Sequence, residues 1–88
     1  MPSYLVETYL ARSQSRERAA CERRARSVAK HLTHDRVRFV RSIYVPEDEI
    51  CFFVFDAPSG RDAVLVAARA ELDPIRVVEA ISSGKEEE

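Results

Sequence analysis

The run Ile50 to Ala57, ICFFVFDA, restricts the possible folds of this chain more than any other stretch. It is too short and too rich in aromatic and β-branched residues for a helix, so it reads as a strand. As a strand it sends Cys51, Phe53 and Phe55 to one side and Phe52 and Val54 to the other. A strand that is apolar on both faces has to be covered on both faces. With 88 residues in all, the chain has room for a single domain, and both coverings have to be found within it or in a partner.

The rest of the sequence alternates between a period of two and a period near 3.6. Tyr4 to Leu10 places Tyr4, Val6, Thr8 and Leu10 on one side and Leu5, Glu7 and Tyr9 on the other, a first strand. Ser13 or Ser15 is suited to cap the helix that follows, which is expected to run to Leu32 with Cys21, Ala25, Val28 and Leu32 as its apolar stripe. Val37 to Val45 alternates again, with Phe39, Arg41 and Ile43 against Val40, Ser42 and Tyr44. The polar Pro46-Glu47-Asp48-Glu49 joins this second strand to the third as an antiparallel hairpin. Ser59 and Asp62 form a capping-box pattern ahead of a second helix, Gly60 to Glu71, whose small residues are Ala63, Val64, Ala67 and Ala70. Asp73-Pro74 stops it, and Ile75 to Ile81 is the last strand.

Strand, helix, strand, strand, helix, strand is the ferredoxin-like order. This predicts an α+β domain over residues 1–81, with a four-stranded antiparallel sheet and two helices on one face. Residues 82–88 read as a flexible acidic tail. The first and third strands are central in this topology. One sheet face is left without a helix, yet the third strand is apolar on that side too. The expected covering is a second copy, a homodimer packed through the open sheet face. A pocket for a small apolar ligand between the sheets is the other use of the same surface.

Charge is unevenly distributed. Residues 12–41 hold ten of the 14 lysines and arginines and only Glu17, Glu22 and Asp35 as acids, so the segment is +7 and the remainder −8. Such asymmetry can steer an acidic partner, although a solvated helix face accounts for it. Glu17 and Glu22 interrupt the patch and no stacking platform accompanies it, so nucleic acid is not the expected partner. Cys21 and Cys51 form no CxxC pair, and Cys21 falls on the apolar stripe as a small core residue. The start MPSYLVETYL lacks a basic region and a long apolar run, and no stretch approaches a membrane span, so a cytoplasmic, membrane-free protein with free thiols is expected.

Charged residues inside strands are the candidate site. If Tyr4 and Val6 face the helices, Glu7 is on the open side, with Arg41 and Glu79 as candidates to join it and Tyr9 and Tyr44 as further ligand-binding candidates. Buried charges are costly unless paired, so these residues form interface ion pairs or the polar centre of a cleft. His31 and His34 stand three apart at a helix end, a spacing that can place two imidazoles on one metal but that also suits cationic histidine beside a helix C-terminus.

The segments MPSYLVE, FVRSIYV, FFVFDAPS and IRVVEAI together resemble the landmarks of a small bacterial family of unknown function that has a nickel-binding member. The resemblance spans roughly residues 1–81 and is most specific at Phe55-Asp56-Ala57-Pro58-Ser59. It implies a ferredoxin-like fold of the dimeric α+β barrel group. The family's metal binding rests on a strand-two histidine and a helix-two histidine. Arg41 stands at the first position, and no histidine lies between Ala63 and Leu72. Nickel is therefore implied by the resemblance alone, and no metal-ligating residue is assigned. The combined expectation is a small homodimeric binding or accessory protein. The alternatives are a barrel enzyme of the cofactor-free monooxygenase or isomerase type, with Glu7, Tyr9, Tyr44 or Arg41 as acid–base group, or a divalent metal binder.

Overall fold

The computed structural model describes residues 1–82. The expected tail therefore lies outside the described residues, apart from Ser82. The strands are β1 (Ser3–Tyr9), β2 (Arg38–Val45), β3 (Ile50–Asp56) and β4 (Arg76–Ala80), and the helices are α1 (Glu17–Leu32) and α2 (Gly60–Arg69). They form one sheet in the order β2-β3-β1-β4, with every neighbouring pair antiparallel. The fold is ferredoxin-like, and β1 and β3 are central as the element order predicts.

Both helices pack on the face that carries Val6, Phe53 and Phe55, whose exposures are 0%, 2% and 0%. Alanines line the helix side of this core. Ala25 and Ala29 of α1 and Ala63 and Ala67 of α2 are fully covered, and small side chains at a packing contact let the backbones approach closely. Two details of the expected stripes shift. On α1, Leu32 is 39% exposed and Ala29 takes its place. A strict seven-residue repeat drifts round a straight helix by about 20° per heptad, so Ala25 and Leu32 do not stay in line. On α2 the buried series is Ala63, Val66, Ala67 and Ala70, with Val64 turned out at 50% exposure.

The entry to α1 also differs from expectation. Neither Ser13 nor Ser15 caps it with a side chain, and Arg16 holds the N-cap position. A 3₁₀ turn, Arg12–Gln14, precedes the helix, and its backbone already takes the first donors: Gln14 N–H to Ala11 O at 2.9 Å and Arg18 N–H to Ser15 O at 3.1 Å. A hydroxyl cap is superfluous there. Helix α2 starts as predicted, with Asp62 N–H donating to Ser59 Oγ at 3.3 Å. Its end is closed by Leu72 N–H to Ala67 O and Glu71 N–H to Ala68 O, with Glu71 in the left-handed region at φ 58°. Helix α1 closes in a related way, with His34 at φ 53° and Asp35 N–H bonded to Lys30 O at 3.2 Å. Buried Thr33 donates to Ala29 O and accepts from Val37 N–H at 2.9 Å, tying the end of α1 to the start of β2.

Candidate ligand site on the open sheet face

The strand register sorts the uncovered face into rows across the sheet. Arg38, Asp56, Ser3 and Ala80 form one edge row. Arg41, Val54, Leu5 and Val78 form the next. Ile43, Phe52, Glu7 and Arg76 form the third, and Val45, Ile50 and Tyr9 the last. Directly opposed residues of antiparallel strands point to the same side, so each row is a line of neighbouring side chains. The middle of this face is apolar. Val54 is 8% exposed yet stands apart from the helix-side core, while Ile43 is 46% exposed.

Charges on the face are arranged by row. In the edge row, Arg38 Nη2 lies 3.1 Å from Asp56 Oδ2, and Ser3 Oγ donates to Asp56 Oδ1 at 2.8 Å. In the third row Arg76 Nε donates to Glu7 Oε1 at 2.8 Å. These pairs are partly solvated and contribute little each to stability, but they neutralise the charges beside the apolar strip. Arg41 differs. Among the described residues its side chain makes no hydrogen bond and no ion pair, and its row otherwise holds Val54, Leu5 and Val78.

Arg41 reaches this face because β2 breaks step. Phe39 pairs with Phe55, but Arg41 pairs with Val54, so Val40 is an extra residue in the ladder. This β-bulge separates Phe39 from Arg41 and Ile43, which strict alternation groups together. Phe39 turns into the core, 8% exposed, with its ring 5.4 Å from that of Phe55 and 6.2 Å from that of Phe53. Without the bulge, one of Phe39 and Arg41 would lie on the wrong side. Among the described residues, nothing else in the sheet breaks alternation.

The five residues singled out from sequence do not form one cluster. Glu7, Tyr9 and Arg41 lie on the open face. Tyr44 and Glu79 lie on the helix side, Tyr44 opposite Cys51 and Glu79 opposite Tyr4. Glu79 shares the parity of Val77 and therefore cannot join Glu7. Tyr44 packs against the core and donates to Leu10 O at 2.9 Å. Tyr9 is 61% exposed and donates to Glu49 Oε1 at 3.3 Å. The neighbouring Glu49 carboxylate raises the Tyr9 pKa, while the hydrogen bond from Arg12 N–H holds Glu49 below the ordinary carboxylate value. Ile43, Val45 and Val78 complete the face without having been singled out. Their parity relative to Glu7 is the signal that identifies them.

A nickel site does not fit this chain's residues. Arg41 stands where the family resemblance implies a strand-two histidine, and a guanidinium has no lone pair to donate to a metal. Among the described residues, no three His, Cys, Asp or Glu side chains are grouped so as to hold an ion. His34 has a backbone role at the left-handed close of α1. Burial pushes the Cys51 thiol up to about 11, which leaves it protonated and a poor ligand.

No helix among the described residues is long and apolar enough to cross a membrane. No protein-family model matches the chain, and no curated protein does. Among solved structures, the chain is similar to the crystal structure of SCO4226 from Streptomyces coelicolor A3(2), at 16% sequence identity and a TM-score of 0.77, over 93% of this chain and 99% of that one. At that identity the likeness establishes the fold, a ferredoxin-like α+β domain of matching length, and nothing more specific.

Proposed function

We propose that this chain is a small homodimeric binding or accessory protein whose two copies meet open face to open face and hold a small apolar ligand between them. The observation that carries this is the central strip of the open face. Leu5, Val54 and Val78 lie in one apolar row with the unpaired Arg41 at its end, flanked by rows whose charges are already neutralised. An apolar strip of this kind on a sheet is a surface that binding covers. Arg41 then supplies a fixed positive group at the edge of the enclosed space, suited to a polar or acidic end of an otherwise apolar molecule.

The enzyme alternative draws on the same face. Its best acid–base candidate, Glu7, has a carboxylate oxygen engaged by Arg76, whereas binding needs no free carboxylate. Nickel is not adopted, because the donor set does not fit it. Sedimentation equilibrium on the full chain tests the proposal. A dimer that Phe52→Lys converts to monomer supports it, and a wild-type monomer with no bound small molecule by native mass spectrometry overturns it.

A further inference from the structure

The ten basic residues of 12–41 are not one solvated face. Arg24 of α1 donates through Nε to Ala70 O at 2.8 Å and so closes the C-terminus of α2. Arg26 lies over the Phe39 ring at 5.0 Å. Arg36 pairs with Asp62 at 3.3 Å and Arg38 with Asp56 at 3.1 Å. Three further arginines converge on one place: Arg12, Arg16 and Arg18 line an open cleft of about 540 Å³ together with Ser15, Tyr44 and Pro46.

This cleft lies at the end of β2, beside Tyr44 of the helix side, and Glu49 separates its Arg12 from Tyr9 of the open face. Among the described residues, none of its three guanidinium groups forms an ion pair. Its backbone donors are largely spent. Ser15 N–H bonds Arg12 O, Arg18 N–H bonds Ser15 O, and Arg12 N–H bonds Glu49 Oε2 at 3.0 Å. Charge recognition there falls to side chains and not to the helix terminus. The Tyr44 ring is held in place by its hydroxyl bond to Leu10 O, and Arg18 lies 5.6 Å from the ring centre. The Glu49 carboxylate beside Arg12 offsets part of the charge, but three guanidinium groups round one hollow still leave a positive excess that an anion would balance, and guanidinium forks match phosphate oxygens in pairs. The volume falls within the range of about 300–1,000 Å³ typical of small-molecule sites and exceeds what a bare ion fills. Tyr44 and Pro46 offer an apolar wall for the remainder.

We infer that this cleft binds a small organic phosphate, with the phosphate on Arg12, Arg16 and Arg18 and a ring or apolar group against Tyr44 and Pro46. The site does not depend on the dimer. The test is an amide-resonance titration of the full chain with phenyl phosphate, with inorganic phosphate and phenol as partial probes. Saturable shifts confined to residues 12–18, 44 and 45 are expected for phenyl phosphate, with each partial probe about tenfold weaker or more. Arg16→Gln, at an exposed position, is expected to weaken phenyl phosphate about tenfold without changing the circular dichroism spectrum. Arg16→Lys, which keeps the charge but loses the fork, is expected to fall between. Shifts spread equally over Arg23 and Lys30, no saturation, or an unchanged affinity in Arg16→Gln would each overturn the inference. So would binding to phosphatidylserine vesicles or duplex DNA with no saturable response to phenyl phosphate. Dimer dissociation by Phe52→Lys is expected to leave the phosphate response intact, so the two proposals fail separately.

Discussion

The two faces of the β2-β3-β1-β4 sheet are built from the same strands and differ in what covers them. On the helix side, Val6, Cys51 and Phe55 have no exposed surface. One residue along the same strands, the other face carries Leu5, Phe52 and Val54, equally apolar but under no helix. Antiparallel sheets with one wet face normally alternate apolar with polar. Here alternation separates two apolar sets. The two faces also handle charge differently. The helix side admits Glu79 only at the edge strand, whereas the open side carries two ion pairs and Arg41. A core needs no charge, while a surface that is alternately exposed and covered needs some for solubility and for specific pairing. On the proposed reading, β3 is apolar on two sides for two reasons, one for folding and one for association.

The largest expected effect tests the folding half of that contrast. Phe53→Ala removes a ring that is 2% exposed and packed against Phe39, and is expected to cost about 3–5 kcal/mol in denaturant unfolding. For a domain of this size that is a large share of total stability. A cost below about 1 kcal/mol would show that the helix side is not the core. Its neighbour Phe52 is the matched control. Phe52→Ala is expected to change the unfolding of the isolated protomer by no more than about 1 kcal/mol while weakening the dimer about 30-fold or more, read by sedimentation. Equal effects of the two substitutions on folding would erase the distinction between the faces.

Cys51 and Cys21 offer a chemical version of the same comparison. Cys51 is fully covered on the helix side, and Cys21 on α1 is partly exposed. At pH 8, iodoacetamide is expected to label Cys21 well before Cys51, as mass spectrometry would show. Burial raises the Cys51 pKa from 9.0 to about 11. The folded state therefore keeps a proton that the unfolded state gives up. The associated stability is fully present below pH 9 and is lost as pH rises from about 9 to about 11. Cys51→Ala is expected to flatten the fall in stability over that window.

The element order, the central strands and the two apolar sets of β3 were legible because periods of two and 3.6 differ strongly over runs of this length, whereas which set meets the helices was not. Ser59 and Asp62 were legible because a cap is a local event. What was not legible depends on long-range geometry. The Val40 bulge is set by the need to bury Phe39 against Phe53 and Phe55 while Arg41 stays outside, and nothing in FVRSIYV marks which residue is the extra one. Glu79 was misplaced because the face of an edge strand depends on its register with β1, which joins residues more than seventy positions apart. The cleft of Arg12, Arg16 and Arg18 was hidden for a different reason. Which arginines are already engaged becomes visible only when α2, Asp56 and Phe39 are in place.

The smallest expected effect lies where the two faces meet, at the end of the β2–β3 hairpin. Glu49, at φ 55° in that turn, accepts from Tyr9 Oη on the open face and from Arg12 N–H beside the arginine cleft. The Arg12 hydrogen bond is the main reason its pKa lies below the ordinary 4.5. A carboxylate held low favours the folded state above its unfolded value, so this contribution is present above about pH 4.5 and is lost as pH falls further. The site is exposed, so water screens the interaction. Glu49→Gln is expected to lower stability at pH 7 only slightly, with the difference vanishing in acid. The same variant removes a negative charge beside Arg12 and is expected to tighten phenyl phosphate slightly while leaving dimerisation unchanged. A change in the dimer instead would mean that the two surfaces are coupled through this turn and that treating them as separate devices is mistaken.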